Sequence, residues 1–418
     1  MIQPVQSAIG KKTESVFQEI KNIWLCSEER FPEYLPVVSE ETRMRNLRSI
    51  QEKTCLFRNR IRQFPRLLLN RNRWAQKVNK DIHDILHNDD VWGIRQVMSK
   101  DKIDLWQEEL KEFLRRTRML FPRMSFEEIG QGIRNYMVYA MIRELCDVSM
   151  EFSKAAYGYS MLYPVTDNFL DGSRSVEDKL EYNRFIKDVI EGKGPAPKNF
   201  HQQKTKEMLD FIRSEFLPEQ NKDLYDLLLM MLDAQNTSLT QQNKQKSLSP
   251  DERLNISIYK GGISVLFDRF LVKKKITEND LFSYIGLGFF LQLSDDLQDI
   301  QEDGERGHQT IFTFNTDPEY IEGLVNKMLR YIFYVMERLQ TVHEPFKEFL
   351  LQNCCNLVYA SVLMSKGFFS EAYLKRLESF MPIPAPSVEA YLENRLEELD
   401  EKEQKRYRKM LDAIIFLK

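Results

Sequence analysis

Apolar residues recur three and four positions apart along almost the whole chain, and alternation with a period of two is hard to find. YMVYAMIRELCDVSMEF (Tyr136–Phe152), DLYDLLLMMLDAQNTSL (Asp223–Leu239), NISIYKGGISVLFDRFL (Asn255–Leu271) and NCCNLVYASVLMSKGFF (Asn353–Phe369) all carry such stripes. That spacing places the apolar side chains on one side of a helix. The stripes are too apolar to face water, so the helices must pack against one another. The pattern predicts an all-α fold, a helical bundle around an apolar interior.

Interruptions divide the pattern. GKGPAPKNF (Gly192–Phe200) reads as a loop from its Gly and Pro content. QQNKQKSLSPDE (Gln241–Glu252) reads as a polar connector that ends in a helix cap. IPAPS (Ile383–Ser387) sets a charged C-terminal helix apart. The expected organisation is an N-terminal helical extension over residues 1–60, a bundle domain over 61–382 and a C-terminal helix over 383–418. The two terminal segments are read as a lid, a dimer contact or padding of the bundle, and a homodimer is an expected partner.

Composition narrows the class. The 418 residues are 42% hydrophobic and 29% charged, the balance of a globular chain with a large core. A formal net charge of −3 supplies no basic field, which argues against nucleic acid as a partner. No apolar run reaches the length of a membrane span, and the start lacks the apolar centre of a secretory signal. Five cysteines, odd in number and without C-x-x-C spacing, read as reduced thiols. A cytoplasmic location is the expectation.

One stretch departs from this pattern. FFLQLSDDLQDIQEDG (Phe289–Gly304) runs an apolar helix straight into an acidic cluster. Asp295, Asp299 and Asp303 fall at i, i+4 and i+8 and share a face, with Asp296 and Glu302 beside it. Like charges at those spacings repel. The cluster is therefore solvated and idle, or it holds cations. A row of hard oxygen ligands on a helix suits Mg²⁺, which shares its ligands with a substrate phosphate. If it grips a diphosphate, a second acidic element should face it. YPVTDNFLDGSRS (Tyr163–Ser175) offers Asp167 and Asp171 at i and i+4, with Asn168 between them.

These two segments resemble the two aspartate-rich motifs of the class I isoprenoid synthases, among them prenyl diphosphate synthases and terpene cyclases. The resemblance spans about Gly130 to Ile311. It implies an all-α bundle around an apolar pocket, with a cluster of three Mg²⁺ ions at its mouth. On this likeness Asp167, Asp171, Asp295, Asp296, Asp299 and Asp303 are the metal ligands, and Asp167, Asp171, Asp295 and Asp299 the acids on which catalysis rests. Gln292 stands where a Gln precedes Asp-Asp-x-x-Asp in the prenyltransferase branch. Lys260 matches a lysine that contacts diphosphate there, although Gly261 replaces the threonine after it. Arg134, Arg174 and Arg306 are the other cations assigned to the diphosphate. Gln235, Phe169, Tyr259 and Phe290 join Gln292 as pocket residues, and Gly286 and Gly288 either leave room for a prenyl chain or let helices approach closely.

The departures bear on the reaction. The first motif reads Asp-Asn-x-x-Asp, as in bacterial large-terpene synthases, where chain-elongating enzymes have Asp-Asp-x-x-Asp. The Gly-Lys-x-Arg-Pro stretch of those enzymes is missing. The resemblance thus implies an Mg²⁺-dependent lyase that ionises a linear prenyl diphosphate, then cyclises or eliminates. Chain elongation by a prenyltransferase and a non-catalytic helical scaffold are the alternatives. GERGHQTIF (Gly304–Phe312) reads as a mouth loop, with His308 a loop residue in it.

Overall fold

The computed structural model describes residues 8–170, 175–243, 245–388 and 400–416, and among these there are helices and no strands. In chain order they are α1 (Ala8–Cys26), α2 (Glu40–Arg62), α3 (Arg71–His87), α4 (Ile94–Val97), α5 (Lys100–Leu120), α6 (Phe126–Leu145), α7 (Lys154–Leu170), α8 (Val176–Ile190) and α9 (Phe200–Glu215). Then follow α10 (Lys222–Ser238), α11 (Pro250–Val272), α12 (Glu278–Gln298), α13 (Ile300–Arg306), α14 (Pro318–Arg338), α15 (Glu344–Met364), α16 (Glu371–Glu378) and α17 (Glu401–Ile415). The all-α fold expected from the periodicity is the fold observed. None of the described helices is long and apolar enough to cross a membrane.

Local chemistry sets the boundaries. The polar connector ends, as expected, in a capping box: Ser249 accepts from the Glu252 amide, Glu252 reaches back, and Pro250 opens α11. Thr277 and Asp280 form the same device at α12. One boundary differs from the sequence reading. The stripe predicted to Phe152 stops at Leu145, because Asp147 turns the backbone to φ 49° and Arg143 Nη1 donates to the Glu151 carbonyl at 3.0 Å. Arg143 is fully buried with Glu109, its Nη1 and Nη2 donating to the two carboxylate oxygens at 2.7 and 2.5 Å. Tyr136 adds a 2.6 Å hydrogen bond to the same carboxylate, which locks α5 to α6.

α11 and α12 form the centre of the core and are apolar almost all round. They run antiparallel, with Gly261 against Gly288, Gly262 against Ile285 and Ser257 bonded to Asp296. A Cβ on Gly261 would lie 2.3 Å from the Gly288 carbonyl oxygen, and one on Gly288 would lie 2.1 Å from that of Gly261. Only hydrogen fits at this crossing. Of the two roles open to Gly288, the structure shows close helix approach.

The termini are not separate layers. Trp24 of α1 sits edge-on to Phe289 of α12 at 5.4 Å and to Tyr331 of α14 at 6.0 Å, within the main core. α2 instead runs past the α16 end, where Arg43 and Asn46 donate to the carbonyls of Glu378 and Pro382. α1 and α2 therefore contact different parts of the bundle. α17 returns to the other end of the chain and builds a small second core of Trp74, Ala75, Val78 and Met410.

Candidate functional site

Helix directions bring the acidic stretch to one end of the bundle. Cys146, just past α6, lies 3.7 Å from the Tyr284 hydroxyl of α12, while Arg134 of α6 acts on Asp295 eleven residues further along α12. α6 is thus antiparallel to α12. α7 is in turn antiparallel to α6, since Gly132 abuts Met161 while Tyr136 stacks on Phe152. The C-terminal ends of α7 and α12 therefore point the same way. Tyr159 of α7 donates to the Ser264 carbonyl of α11 at 3.0 Å. Asp167 lies eight residues further along α7, beyond Pro164, and its side chain is outside the described residues. Asp171 and Arg174 lie outside the described residues.

The acidic row follows the end of α12 into α13, with the Asp299 amide bonded to the Asp295 carbonyl and the Asp303 amide to that of Asp299. Asp295 is open to solvent, yet crowding by protein raises its pKa through desolvation, against the fields of Lys260 and Arg134, with Asp303 adding repulsion. Asp299, also solvent-accessible, is pushed up to about 7 by desolvation and then by Asp295, Asp303, Glu302 and Asp296. Asp296 is buried against α11: its oxygens accept from Ser257 Oγ at 3.0 Å and Gln292 Nε2 at 2.7 Å. Desolvation lifts it to about 6 despite those bonds. Asp303 pairs with His308 Nδ1 at 2.9 Å, while His308 Nε2 is buried without a partner among the described residues.

The structure thus gathers Arg134, Lys260, Asp295, Asp296, Asp299 and Asp303. Other expected residues make local contacts of their own. Arg306 pairs with Glu302 along α13 with its side chain 70% exposed. Phe290 has no accessible surface and is packed core, so no water-sized space touches it. Phe169 is buried against Tyr182, with ring centroids 4.1 Å apart. Tyr259 is buried too, its ring edge-on to Phe17 of α1 and its hydroxyl 3.2 Å from Asp233. Gln235 lies half-buried on α10.

Two residues absent from the sequence reading complete the picture. Ser257 holds Asp296, and Asp233 holds Tyr259. The first had a signal in its position three before Lys260, on the same side of α11; the second had none, since it depends on a pairing between helices.

Asp295, Asp299 and Asp303 offer hard oxygen donors of the kind Mg²⁺ takes, but their oxygens do not converge as three ligands of a single ion. No family model matches the chain, and no curated protein matches it.

Proposed function

We propose that the protein is a class I terpene synthase, which takes a linear prenyl diphosphate, breaks its allylic C–O bond and releases diphosphate with cyclisation or elimination. The observation that carries this reading is the row of Asp295, Asp299 and Asp303 at the end of α12, with Lys260 and Arg134 acting on Asp295. The row would hold Mg²⁺, with Asp167 and Asp171 as the opposing ligands. When bound, the ions neutralise charge on the departing diphosphate. Lys260 and Arg134 orient the diphosphate oxygens and add positive charge where the leaving group gains negative charge. Ser257 and Gln292 keep Asp296 turned toward α11, so that it steadies the end of α12.

A second reading, prenyl chain elongation, is favoured by Gln292 standing four residues before Asp296 in an Asp-Asp-x-x-Asp helix. The deciding experiment incubates the purified chain with Mg²⁺ and geranyl, farnesyl, geranylgeranyl or longer diphosphates, with and without isopentenyl diphosphate, and reads products by mass spectrometry. Hydrocarbon or alcohol products without the C5 unit are expected. Products that need isopentenyl diphosphate would transfer the assignment to elongation, and no consumption of any diphosphate would leave a scaffold.

A further inference from the structure

A second cluster lies away from the acidic row, between α3 and α5. His83 and His87 are four residues apart on α3, so their rings project from the same side of the helix. The rings lie 4.0 Å apart between centroids and 19° from parallel. Both Nε2 atoms address one carboxylate oxygen, Asp104 Oδ1 of α5, at 2.7 Å from His87 and 3.4 Å from His83. All three donor atoms fall within 4.8 Å of one another. Asp84 Oδ1 lies 3.5 Å from His83 Nδ1, on the far side of that ring.

We propose that His83, His87 and Asp104 form a transition-metal site of the zinc type that joins α3 to α5 and leaves one position to water. Ligands around a tetrahedral ion with bonds of 2.0–2.1 Å stand about 3.3 Å apart. The two nitrogen–oxygen separations bracket that value and all three donor atoms lie within 4.8 Å of one another, so an ion is held once the two half-exposed side chains swing inward. Two imidazole nitrogens and one carboxylate suit a borderline ion such as Zn²⁺ and are poor partners for Mg²⁺ or Ca²⁺. Asp84, near Nδ1 of His83, favours the tautomer that leaves Nε2 free to coordinate, the role outer carboxylates play around metal-bound histidines. The gradient in burial also fits. His87 is 7% exposed and anchors the site, while His83 and Asp104 are 46% and 49% exposed and leave a path for the ion.

The test uses the full chain stripped by a chelator and kept in excess Mg²⁺, which occupies the acidic row. Zn²⁺ is titrated by calorimetry, and Co²⁺ replaces it to read the visible absorption of a tetrahedral site. One ion per chain and a raised melting temperature are expected. His83→Gln and Asp104→Asn, both at half-open positions, should melt near the wild type without metal and bind Zn²⁺ at least ~100-fold more weakly, while Asp84→Asn should lose about tenfold. Asp295→Asn should bind Zn²⁺ like the wild type. Binding that survives in His83→Gln, or a wild-type melting temperature that Zn²⁺ leaves unmoved, would overturn the proposal and leave two histidines sharing a carboxylate by hydrogen bonds.

Discussion

At the scale of single residues, the acidic row has a definite proton inventory. Asp296 and Asp299 have folded pKa values of about 6 and about 7, above the ordinary carboxylate range. A raised acid binds more protons folded than unfolded, so its contribution to stability is fullest below the unfolded pKa and falls as pH climbs toward the folded one. The metal-free protein should therefore lose stability from this cluster between pH ~4 and ~7, with Asp296 alone accounting for about 2–3 kcal/mol. Mg²⁺ should restore more of it at pH 8 than at pH 5, with protons released on binding; denaturant melts at several pH values, with and without the ion, read both effects. Asp299→Asn should flatten that pH dependence in the absence of metal. On the proposed function the same variant should also remove stabilisation by Mg²⁺ and lower product formation at least about a hundredfold, since charge neutralisation by a metal is worth several kcal/mol. An unchanged rate would separate Asp299 from the chemistry.

At the scale of elements, the α11–α12 crossing depends on two glycines. Gly288→Ala would press a methyl group into the Gly261 carbonyl, a backbone atom that cannot rotate away. The expected cost is at the upper end of overpacking, about 3 kcal/mol or more, seen as a lowered denaturation midpoint. Gly130→Ala on α6 is the control, because nothing lies within 4 Å of the new methyl. It should stabilise by about 0.4–1 kcal/mol through backbone entropy. Helices of this kind are legible in the sequence because period and caps are local: the stripes over Asp223–Leu239 and Asn255–Leu271 lie almost wholly on α10 and within α11. Four acidic positions and two cations of the candidate site were legible as well, from spacing and likeness. What stayed hidden depends on which helix faces which. Nothing near Phe290 says that it is sealed in the core, and only the crossing explains why a glycine follows Lys260. The Arg306 contact, by contrast, is local, since Glu302 stands one turn earlier on the same helix.

At the scale of the whole molecule, the two ends of the chain do different work. α17 closes a small core against α3, with Arg118 bonded to Asp412 at 2.8 Å and the Trp74 indole donating to the Arg60 carbonyl. This core stands apart from the one around α11 and α12, so the two should respond separately. Trp74→Ala should cost about 3–5 kcal/mol locally. Hydrogen exchange should then show α17 losing protection while α11 and α12 keep theirs. Equal loss in all three would mean a single cooperative unit.

The placement of α1 has a consequence for synthesis. The aromatic partners of Trp24 among the described residues are Phe289 and Tyr331, and Lys327 lies over its ring. At ~5–20 residues per second, the ribosome needs roughly 15–60 s to cover the ~300 intervening residues. Throughout that interval the Trp24 end of α1 lacks these partners, although Phe17 near its middle meets Tyr259 of α11 earlier. The chain thus completes the cover of its first helix only when its last third emerges.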